Sequence, residues 1–265
     1  MTCLQVVSEA KLSGRVAVVT GAASGIGEAI TKLCVAQGAR VVMVDSDAIR
    51  LDAAAKSIGG DTITHHADVG APDTAAVYVA LAMRHFGRLD TAFLNAGIAG
   101  KVCRIEEVAV SDFDEVMRVN VRSVWSGIAA LFPVMQSAGG GSIVVTASTG
   151  GVQGAPMVAP YIASKHAVIG LVRSAALEGA RYNIRVNAVA PAPIDTPMMA
   201  HIAAGLGPGD MERARNRTLS HIPMRRYGGA DEVARMMLFL ASDDSSYSTG
   251  AVFLSDGGST AGISF

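Results

Sequence analysis

Short apolar runs alternate with longer segments of helical pattern from one end of the chain to the other. Seven runs rich in valine, isoleucine and threonine have the length of strands, at 15–20, 40–45, 62–69, 89–97, 141–148, 184–191 and 250–256. Segments of helix length separate them, near 26–37, 47–57, 72–86, 111–137, 160–180 and 230–241. This alternation is typical of right-handed β-α-β units. It predicts an α/β fold, a doubly wound parallel sheet of about seven strands with helices on both faces.

One long segment, 192–227, breaks this alternation. It carries four prolines and three glycines and shows no sustained apolar period. Long irregular segments inside compact domains are usually functional. Because no repeat or linker divides the chain, the pattern predicts one domain over 1–265, with a substrate loop at about 192–227.

The composition agrees with a sheet that is buried on both faces. Half of the 265 residues are hydrophobic, and the mean hydropathy is +0.37. The charges nearly balance, with 22 basic and 23 acidic residues and no block of one sign. Nucleic-acid binding needs a concentrated basic surface, so we expect no nucleic-acid partner.

The cysteines, the amino terminus and the apolar runs bear on the compartment. Cys3, Cys34 and Cys103 lie far apart with no C-x-x-C pair, which favours a reducing compartment. The start lacks the basic segment of a signal peptide, and no apolar run reaches the roughly 18 residues of a membrane span. We therefore expect a cytoplasmic protein with no membrane association. The histidines show no metal-ligand spacing, so no metal is expected.

A glycine-rich turn follows the first predicted strand and opens the first helix. Backbone N–H groups at a helix start bind phosphate when no Cβ atoms stand in the way. Such a turn predicts binding of a dinucleotide pyrophosphate, although a tight strand–helix turn without a ligand is the alternative. The residues that would form it are Gly21, Ser24, Gly25, Ile26 and Gly27.

Asp45 ends the second predicted strand, about 20 residues beyond the last of these glycines, where an acid commonly binds an adenosine ribose. A carboxylate accepts hydrogen bonds from the ribose hydroxyls and repels a 2′-phosphate. No lysine or arginine stands at Ala22, Ala23 or Ser24 to receive that phosphate. The pattern therefore favours NAD over NADP, the alternative being a surface aspartate that caps the next helix.

Four further polar positions complete a recognisable set. Ser148 ends the fifth predicted strand, "YIASK" supplies Tyr161 and Lys165, and Asn120 lies in "RVNVRS". Together with "TGAASGIG" and "NAG" at 95–97, these motifs resemble the short-chain dehydrogenase/reductase family in order and over roughly residues 12–258. The resemblance implies a Rossmann-like fold, an alcohol or ketone substrate, and a catalytic set of Asn120, Ser148, Tyr161 and Lys165.

The chemistry of the Tyr161–Lys165 pair also follows from its spacing. The two residues are four apart, so they share one face of a helix. A free tyrosine, with a pKa near 10, is a poor base at neutral pH. A nearby ammonium and the positive nicotinamide of NAD⁺ would favour the phenolate, which predicts that Tyr161 is the general acid and base, with Ser148 holding the substrate oxygen. An ordinary Tyr–Lys pair on a helix surface is the alternative.

The resemblance extends the cofactor site beyond the glycine turn. It implies that Asp68 and Val69 contact the adenine, that the stretch after the sixth strand binds the nicotinamide carboxamide, and that Asn120 positions a water beside Lys165. Alanine stands at 192, where the family usually has glycine. The added cofactor residues are Asp68, Val69, Asn95, Ala96, Gly97, Tyr161, Lys165, Pro191, Ile194 and Thr196.

The candidate substrate pocket is mainly apolar, and none of the residues assigned to it is an arginine or lysine that could grip an anion. The pattern predicts a neutral, hydrophobic secondary alcohol or its ketone. The residues assigned to the pocket are Ser148, Thr149, Gly150, Gln153, Ala155, Met157, Tyr161, Pro193, Met198, Met199, Ile202 and Leu206.

Three alternatives remain at this point. A 3-oxoacyl reductase would share the motifs, although Asp45 disfavours NADPH. A non-catalytic dinucleotide sensor could use the same fold, and a dehydratase or epimerase could recycle bound NAD. The family resemblance also implies a homotetramer, with the helices near 111–137 and 160–180 at one interface and "STAGISF" near another.

Overall fold

The protein is described by a computed structural model over residues 10–207 and 209–262. Cys3, most of the amino-terminal segment and the last three residues of "STAGISF" lie outside these ranges.

Seven parallel strands form one sheet in the order β3-β2-β1-β4-β5-β6-β7. The predicted strand count, direction and fold class are confirmed. The order reverses between β1 and β4, and this switch point is where doubly wound sheets bind ligands at the carboxyl ends of their strands. The strands are β1 Val16–Thr20, β2 Arg40–Asp45, β3 Thr62–His66, β4 Thr91–Leu94, β5 Gly141–Thr146, β6 Ile184–Pro191 and β7 Val252–Ser255.

Helices cover both faces because successive strand residues point to opposite sides. Val16 and Val18 pack toward α3, α5 and α6, whereas Ala17 and Val19 pack toward α1, α2 and α9. Two apolar layers result, and each strand of the sheet centre is buried throughout. The helices are α1 Gly25–Ala36, α2 Ala48–Ile58, α3 Thr74–Phe86, α4 Val110–Met117, α5 Ser123–Ser137, α6 Ala159–Gly179, α7 Pro197–Leu206, α8 Met211–Ser220 and α9 Ala230–Ala241.

The helix predicted over 111–137 is two helices joined by a π-helical turn, Arg118–Arg122. This turn bends the element where Asn120 reaches across to the loop after β4. The residue's amide both accepts from and donates to the backbone of Ile98, at 2.8 and 2.9 Å. A widened turn of this kind often marks a functional position.

The segment 192–227 is not irregular, contrary to the sequence-based expectation. It folds into α7 and α8, each with an ordinary start signal. Thr196 accepts from the Met199 N–H, and Pro197 takes the first helical position of α7. Asp210 accepts from the Arg213 N–H at 2.9 Å and starts α8. The two helices stand over the carboxyl end of the sheet and line the cavity there.

No helix within residues 10–207 and 209–262 is both long enough and apolar enough to cross a membrane.

Candidate active site

A cavity of about 1540 Å³ opens at the carboxyl ends of the central strands. It runs from the ends of β2 and β3, past the switch point, to helices α7 and α8. All but two of the residues assigned to the site from sequence line it, the exceptions being the buried Gly27 and Asn120. The assigned residues that line it are Gly21, Ser24, Gly25, Ile26, Asp45, Asp68, Val69, Asn95, Ala96, Gly97, Ser148, Thr149, Gly150, Gln153, Ala155, Met157, Tyr161, Lys165, Pro191, Pro193, Ile194, Thr196, Met198, Met199, Ile202 and Leu206.

The glycine turn leaves no room for side chains. Gly21 and Gly25 have φ of +68° and +55°, a region that residues with a Cβ rarely adopt. A Cβ built on Gly27 would lie 1.8 Å from the Gly21 carbonyl oxygen, and one on Gly21 would lie 2.9 Å from the Ala96 Cα. The turn therefore brings bare backbone to the start of α1, as a bound pyrophosphate requires.

Asp45 lies at the rim of this turn with both carboxylate oxygens held by the backbone. The Ala23 N–H donates to Oδ2 and the Asp47 N–H to Oδ1, each at 3.0 Å. These contacts fix the acid beside the glycine turn and leave it half-buried. A negative charge held at this place suits hydroxyl groups and opposes an added phosphate.

Asn95 connects three strand ends rather than pointing freely into the cavity. Its side-chain NH₂ donates to the carbonyls of Thr20 and Gly21, and its Oδ1 accepts from the Thr146 hydroxyl at 2.9 Å. Thr20 Oγ1 also accepts from the N–H groups of Asn95 and Ala96. This network fixes the floor of the site between β1, β4 and β5.

Asp68 forms an ion pair that the sequence did not indicate. Arg118, in the π-helical turn, donates to Asp68 Oδ2 at 2.6 Å and holds Glu115 through two further hydrogen bonds. The Gly70 N–H donates to Asp68 Oδ1 at 2.8 Å. Burial opposes the charged form of Asp68, yet these hydrogen bonds hold its pKa below the usual value. The carboxylate is therefore fixed at the cavity wall.

Ser148 and Tyr161 meet at the centre of the cavity. Ser148 lies two residues beyond the end of β5, not within the strand as the sequence predicted. Its Oγ accepts from the Gly150 N–H at 3.0 Å at the start of a short 3-10 helix, Thr149–Gly151. Burial raises the pKa of Tyr161, and a hydrogen bond with Ser148 works in the opposite direction. Burial is the larger of the two effects, so the phenol of the folded chain keeps its proton at neutral pH.

Lys165 lies one helical turn beyond Tyr161 and is only 4% exposed. Its Nζ lies 5.6 Å from the centre of the Tyr161 ring and donates to the Thr146 carbonyl at 2.7 Å. Burial lowers its pKa from 10.5 to about 8. The amine is therefore a cation near neutrality, in direct reach of the tyrosine.

Asn120 and a residue missed by the sequence analysis, Ser164, hold this pair in place. Asn120 Nδ2 lies 3.0 Å from Ser164 Oγ, and the Ser164 hydroxyl donates to the Tyr161 backbone carbonyl at 2.7 Å. Both residues are almost fully buried. Ser164 therefore connects α6 to the π-helical turn through a contact between residues 44 positions apart.

The apolar wall lies where the sequence placed it, around Ser148 and along α7. One of its members, Met157, has φ of +70°, and its carbonyl accepts from the Cys103 N–H at 2.9 Å. Helix α8 also lines the cavity and contributes Arg217, a residue that the sequence analysis did not assign to it. The further lining residues from α8 and beyond are Ala214, Arg217, Thr218, Ser220, His221, Ile222, Ser259 and Gly262.

Among the residues described, no group of three histidine, cysteine or acidic side chains could hold a metal ion.

Comparison with known proteins places this geometry in a family. A family model described as Enoyl-(Acyl carrier protein) reductase matches residues 21–260. Levodione reductase of Leifsonia aquatica is 37% identical over 256 residues, covering 95% of this chain and 96% of that protein. Cyclohexanol dehydrogenase of an Acinetobacter strain is 38% identical, covering 94% and 96%.

Two further relatives extend the comparison. The 3-oxoacyl-(acyl-carrier-protein) reductase of Thermotoga maritima is 40% identical, covering 94% of this chain and 98% of that protein. A crystal structure of levodione reductase superposes with a TM-score of 0.93 at 36% identity, covering 95% of this chain and 100% of that one. The chain therefore belongs to the short-chain dehydrogenase/reductase family of oxidoreductases.

Proposed function

We propose that the protein is an NAD-dependent oxidoreductase that interconverts a secondary alcohol and its ketone. The observation that carries this proposal is the meeting of Ser148, Tyr161 and Lys165 beside the glycine turn, inside one cavity. A binding protein has no chemical need for a phenol, a hydroxyl and a buried amine in that arrangement. Their convergence favours an enzyme over a dinucleotide sensor.

The chain offers a complete place for a dinucleotide. The backbone at Gly21 and Gly25 would receive the pyrophosphate, Asp45 the ribose hydroxyls, and Asp68 with Val69 the adenine. Ile194 and Thr196 would receive the carboxamide. When bound, NAD supplies the hydride acceptor for alcohol oxidation and, once reduced, the hydride donor for ketone reduction.

Proton transfer belongs to the hydroxyl of Tyr161. In ketone reduction this group donates its proton to the substrate oxygen, and in alcohol oxidation it takes the proton back. Ser148, whose interaction with Tyr161 opposes the burial-raised pKa of the phenol, holds the substrate oxygen beside it. Lys165 stabilises the deprotonated state of the phenol through its positive charge, while its contact with Thr146 keeps the amine in position.

The substrate is apolar around the reacting carbon. Met199 and Met157 stand in the cavity wall near Ser148, and α7 adds Met198 and Ile202. We infer that α7 and α8 form the substrate-covering part of a single catalytic domain. The printed activities of two relatives, a levodione reductase and a cyclohexanol dehydrogenase, support a cyclic alcohol or ketone.

A 3-oxoacyl reductase is the second candidate, because one relative of 40% identity carries that name. Asp45 weighs against it, since the acid at this position disfavours a 2′-phosphate. Turnover of an acyl thioester with NADPH in preference to cyclic ketones with NADH would establish this alternative.

We also propose that the protein is a homotetramer, as the family resemblance implies. Large apolar side chains stand in solvent on the outer faces of α4 and α5. Val110 is 77% exposed, Phe113 40% and Trp125 58%. Leu177, on α6, is 82% exposed. Their burial against further copies would remove this apolar surface from water, and light scattering of the purified protein tests the assembly directly.

The decisive experiment replaces the phenol hydroxyl alone. Acid–base catalysis contributes about 10²- to 10⁴-fold, so Tyr161→Phe should lower NADH formation from cyclohexanol by that range. NAD affinity should stay within about twofold, since the ring remains. Tyr182→Phe, which removes the hydroxyl of a tyrosine stacked on Arg181 outside the cavity, should leave the rate unchanged. Full activity of Tyr161→Phe would overturn the proposed role.

A further inference from the structure

Helix α8 presents a polar, basic face to the cavity, in contrast to the apolar wall of α7. Ala214, Arg217, Thr218 and His221 recur at helical spacing, and all four line the cavity. Their position after β6 places them across the sheet from Asp45, at the end of β2. The α8 segment thus adds two basic side chains to the cavity lining, Arg217 and His221, and both are also exposed to solvent.

The other polar groups on this face are already engaged within their own helix. The Thr218 hydroxyl donates to the Ala214 carbonyl at 3.0 Å. The Ser220 hydroxyl and His221 Nδ1 both lie within hydrogen-bond distance of the Arg217 carbonyl, at 2.7 and 2.8 Å. The guanidinium of Arg217 is different, because it makes no hydrogen bond or ion pair with any residue in the described part of the chain.

The charged residues that line the cavity also provide no partner for the guanidinium of Arg217. Arg118 is neutralised by Asp68 and Glu115, and Lys165 is committed to the catalytic pair. The described acids that line the cavity are Asp45, at the end of β2, Asp68, after β3, and Glu115, which shares Arg118 with Asp68. None of these acids forms an ion pair with Arg217.

We propose that the substrate carries a carboxylate remote from the reacting carbon and that Arg217 binds it. The inference rests on the proposed function and adds to it a substrate class, an apolar hydroxy or keto acid. A guanidinium offers paired N–H donors that match the two oxygens of a carboxylate. Among the described residues that line the cavity, Arg217 is the cation without a hydrogen-bond or ion-pair partner, which suits one carboxylate. The apolar side chains that line the same cavity suit the hydrocarbon part of such a substrate.

The test compares two substrate series that differ only in charge. One series is cyclohexanol bearing a carboxylate directly or through two or four methylene groups, and the other bears the matching primary amides. We expect wild-type kcat/KM to favour at least one carboxylate over its amide by about tenfold, a difference of roughly 1.4 kcal/mol. Arg217→Gln should remove that preference and leave the amides unchanged.

Arg213→Gln is the matched control, since Arg213 lies on the same helix and does not line the cavity. It should keep the preference. Calorimetric binding of the corresponding keto acids and keto amides to the NADH-loaded protein gives a readout that needs no turnover. Turnover of the amides without any preference for carboxylates, or equal loss for both series in Arg217→Gln, would overturn this inference and leave the proposed function standing. Failure of every alcohol in both series would count against the proposed function, and calorimetry would still decide the carboxylate site.

Discussion

Removing the charge of Asp45 tests the proposed preference for NAD over NADP, and we expect it to weaken that preference strongly. Asp45→Asn is the sharpest change, because one side-chain oxygen remains to accept from the Ala23 N–H, now 3.0 Å from Oδ2. The amide nitrogen cannot accept from Asp47, so one contact of 3.0 Å is lost. The fold of the turn should survive, since Gly21 and Gly25 set its path.

The magnitude follows from the charge that Asp45 would place beside a 2′-phosphate. The residue is half-buried, so an effective dielectric constant of about 40 lies between the values for water and for a protein surface. At about 5 Å, two unit charges then repel by roughly 1.7 kcal/mol, and a phosphate of charge −1.5 to −2 is disfavoured by about 2.5–3.3 kcal/mol. This corresponds to a preference for NAD of about 70- to 250-fold.

The assay is the ratio of kcat/KM for NAD and NADP with one alcohol, together with calorimetric affinities for both dinucleotides. Asp45→Asn should raise the NADP/NAD ratio by about 100-fold, chiefly through tighter NADP binding. Asp47→Asn is the control, since it removes the same charge two residues away, and asparagine also caps α2. Equal use of NADP by the wild-type protein, or the same ratio in both variants, would refute this reasoning.

Three further changes test the catalytic centre. Ser148→Ala removes the hydrogen bond that lowers the Tyr161 pKa, so the rise of the oxidation rate with pH should move to more alkaline values; an unchanged profile would contradict it. Lys165→Met should abolish oxidation yet raise the free energy of unfolding at pH 7 by about 1–3 kcal/mol, because the buried amine has a pKa of about 8 in the folded protein against 10.5 unfolded. The gain in unfolding free energy should shrink as pH rises from about 8 to 10.5, because in this range Lys165 of the wild-type protein stays protonated only in the unfolded chain. Denaturant titration of both proteins at the two ends of this pH range checks the sign. Gly27→Ala would place a Cβ 1.8 Å from the Gly21 carbonyl, so NAD affinity should fall more than tenfold; calorimetry giving wild-type affinity would show that the turn relaxes freely.

The strands were predictable because a doubly covered sheet needs continuous apolar runs. Their ends were less so. The third run was expected to reach Val69, but the strand stops at His66. Asp68 bends the chain instead, with its side chain accepting from Gly70 and its carbonyl accepting from the Thr74 hydroxyl. A carboxylate that bonds its own backbone favours a turn over a strand, and sequence alone does not show which bond it will make.

The sequence-based prediction of the helices was wrong in two places, for two different physical reasons. The break at Arg118–Arg122 depends on the contact between Asn120 and Ile98, 22 positions apart, which no local pattern encodes. By contrast, α7 and α8 had local signals, a Thr196–Pro197 start and a capping Asp210, that the prolines and glycines around them outweighed in the prediction. The break at Arg118–Arg122 therefore could not be predicted from local sequence, whereas the starts of α7 and α8 could have been.

In the candidate site, too, contacts between residues close in sequence could be predicted and contacts between distant residues could not. Residues within one motif, such as Tyr161 and Lys165, could be placed from spacing alone. Arg118 and Ser164 could not, because the first meets Asp68 across 50 positions and the second meets Asn120 across 44. Arg217 could not be assigned from the sequence, because the pattern predicts an irregular segment there. An irregular segment has no helical face from which to infer that Arg217 lies toward the cavity.

The pKa directions in the cavity refine the sequence-based argument for Tyr161. Spacing suggested that Lys165, together with the positive nicotinamide of NAD⁺, favours the phenolate. Burial raises the tyrosine pKa and lowers that of the lysine, so in the chain itself each group is driven toward its neutral form. The folded chain therefore holds Tyr161 as a proton donor at neutral pH, the form that ketone reduction needs. Oxidation needs the phenolate, whose cost is about 1.4 kcal/mol for each pH unit between the working pH and the tyrosine pKa. That cost falls when further positive charge enters the cavity beside the phenol. The proposed acid catalysis therefore needs only the chain's own residues, whereas the proposed base catalysis would also need an oxidised, positively charged dinucleotide.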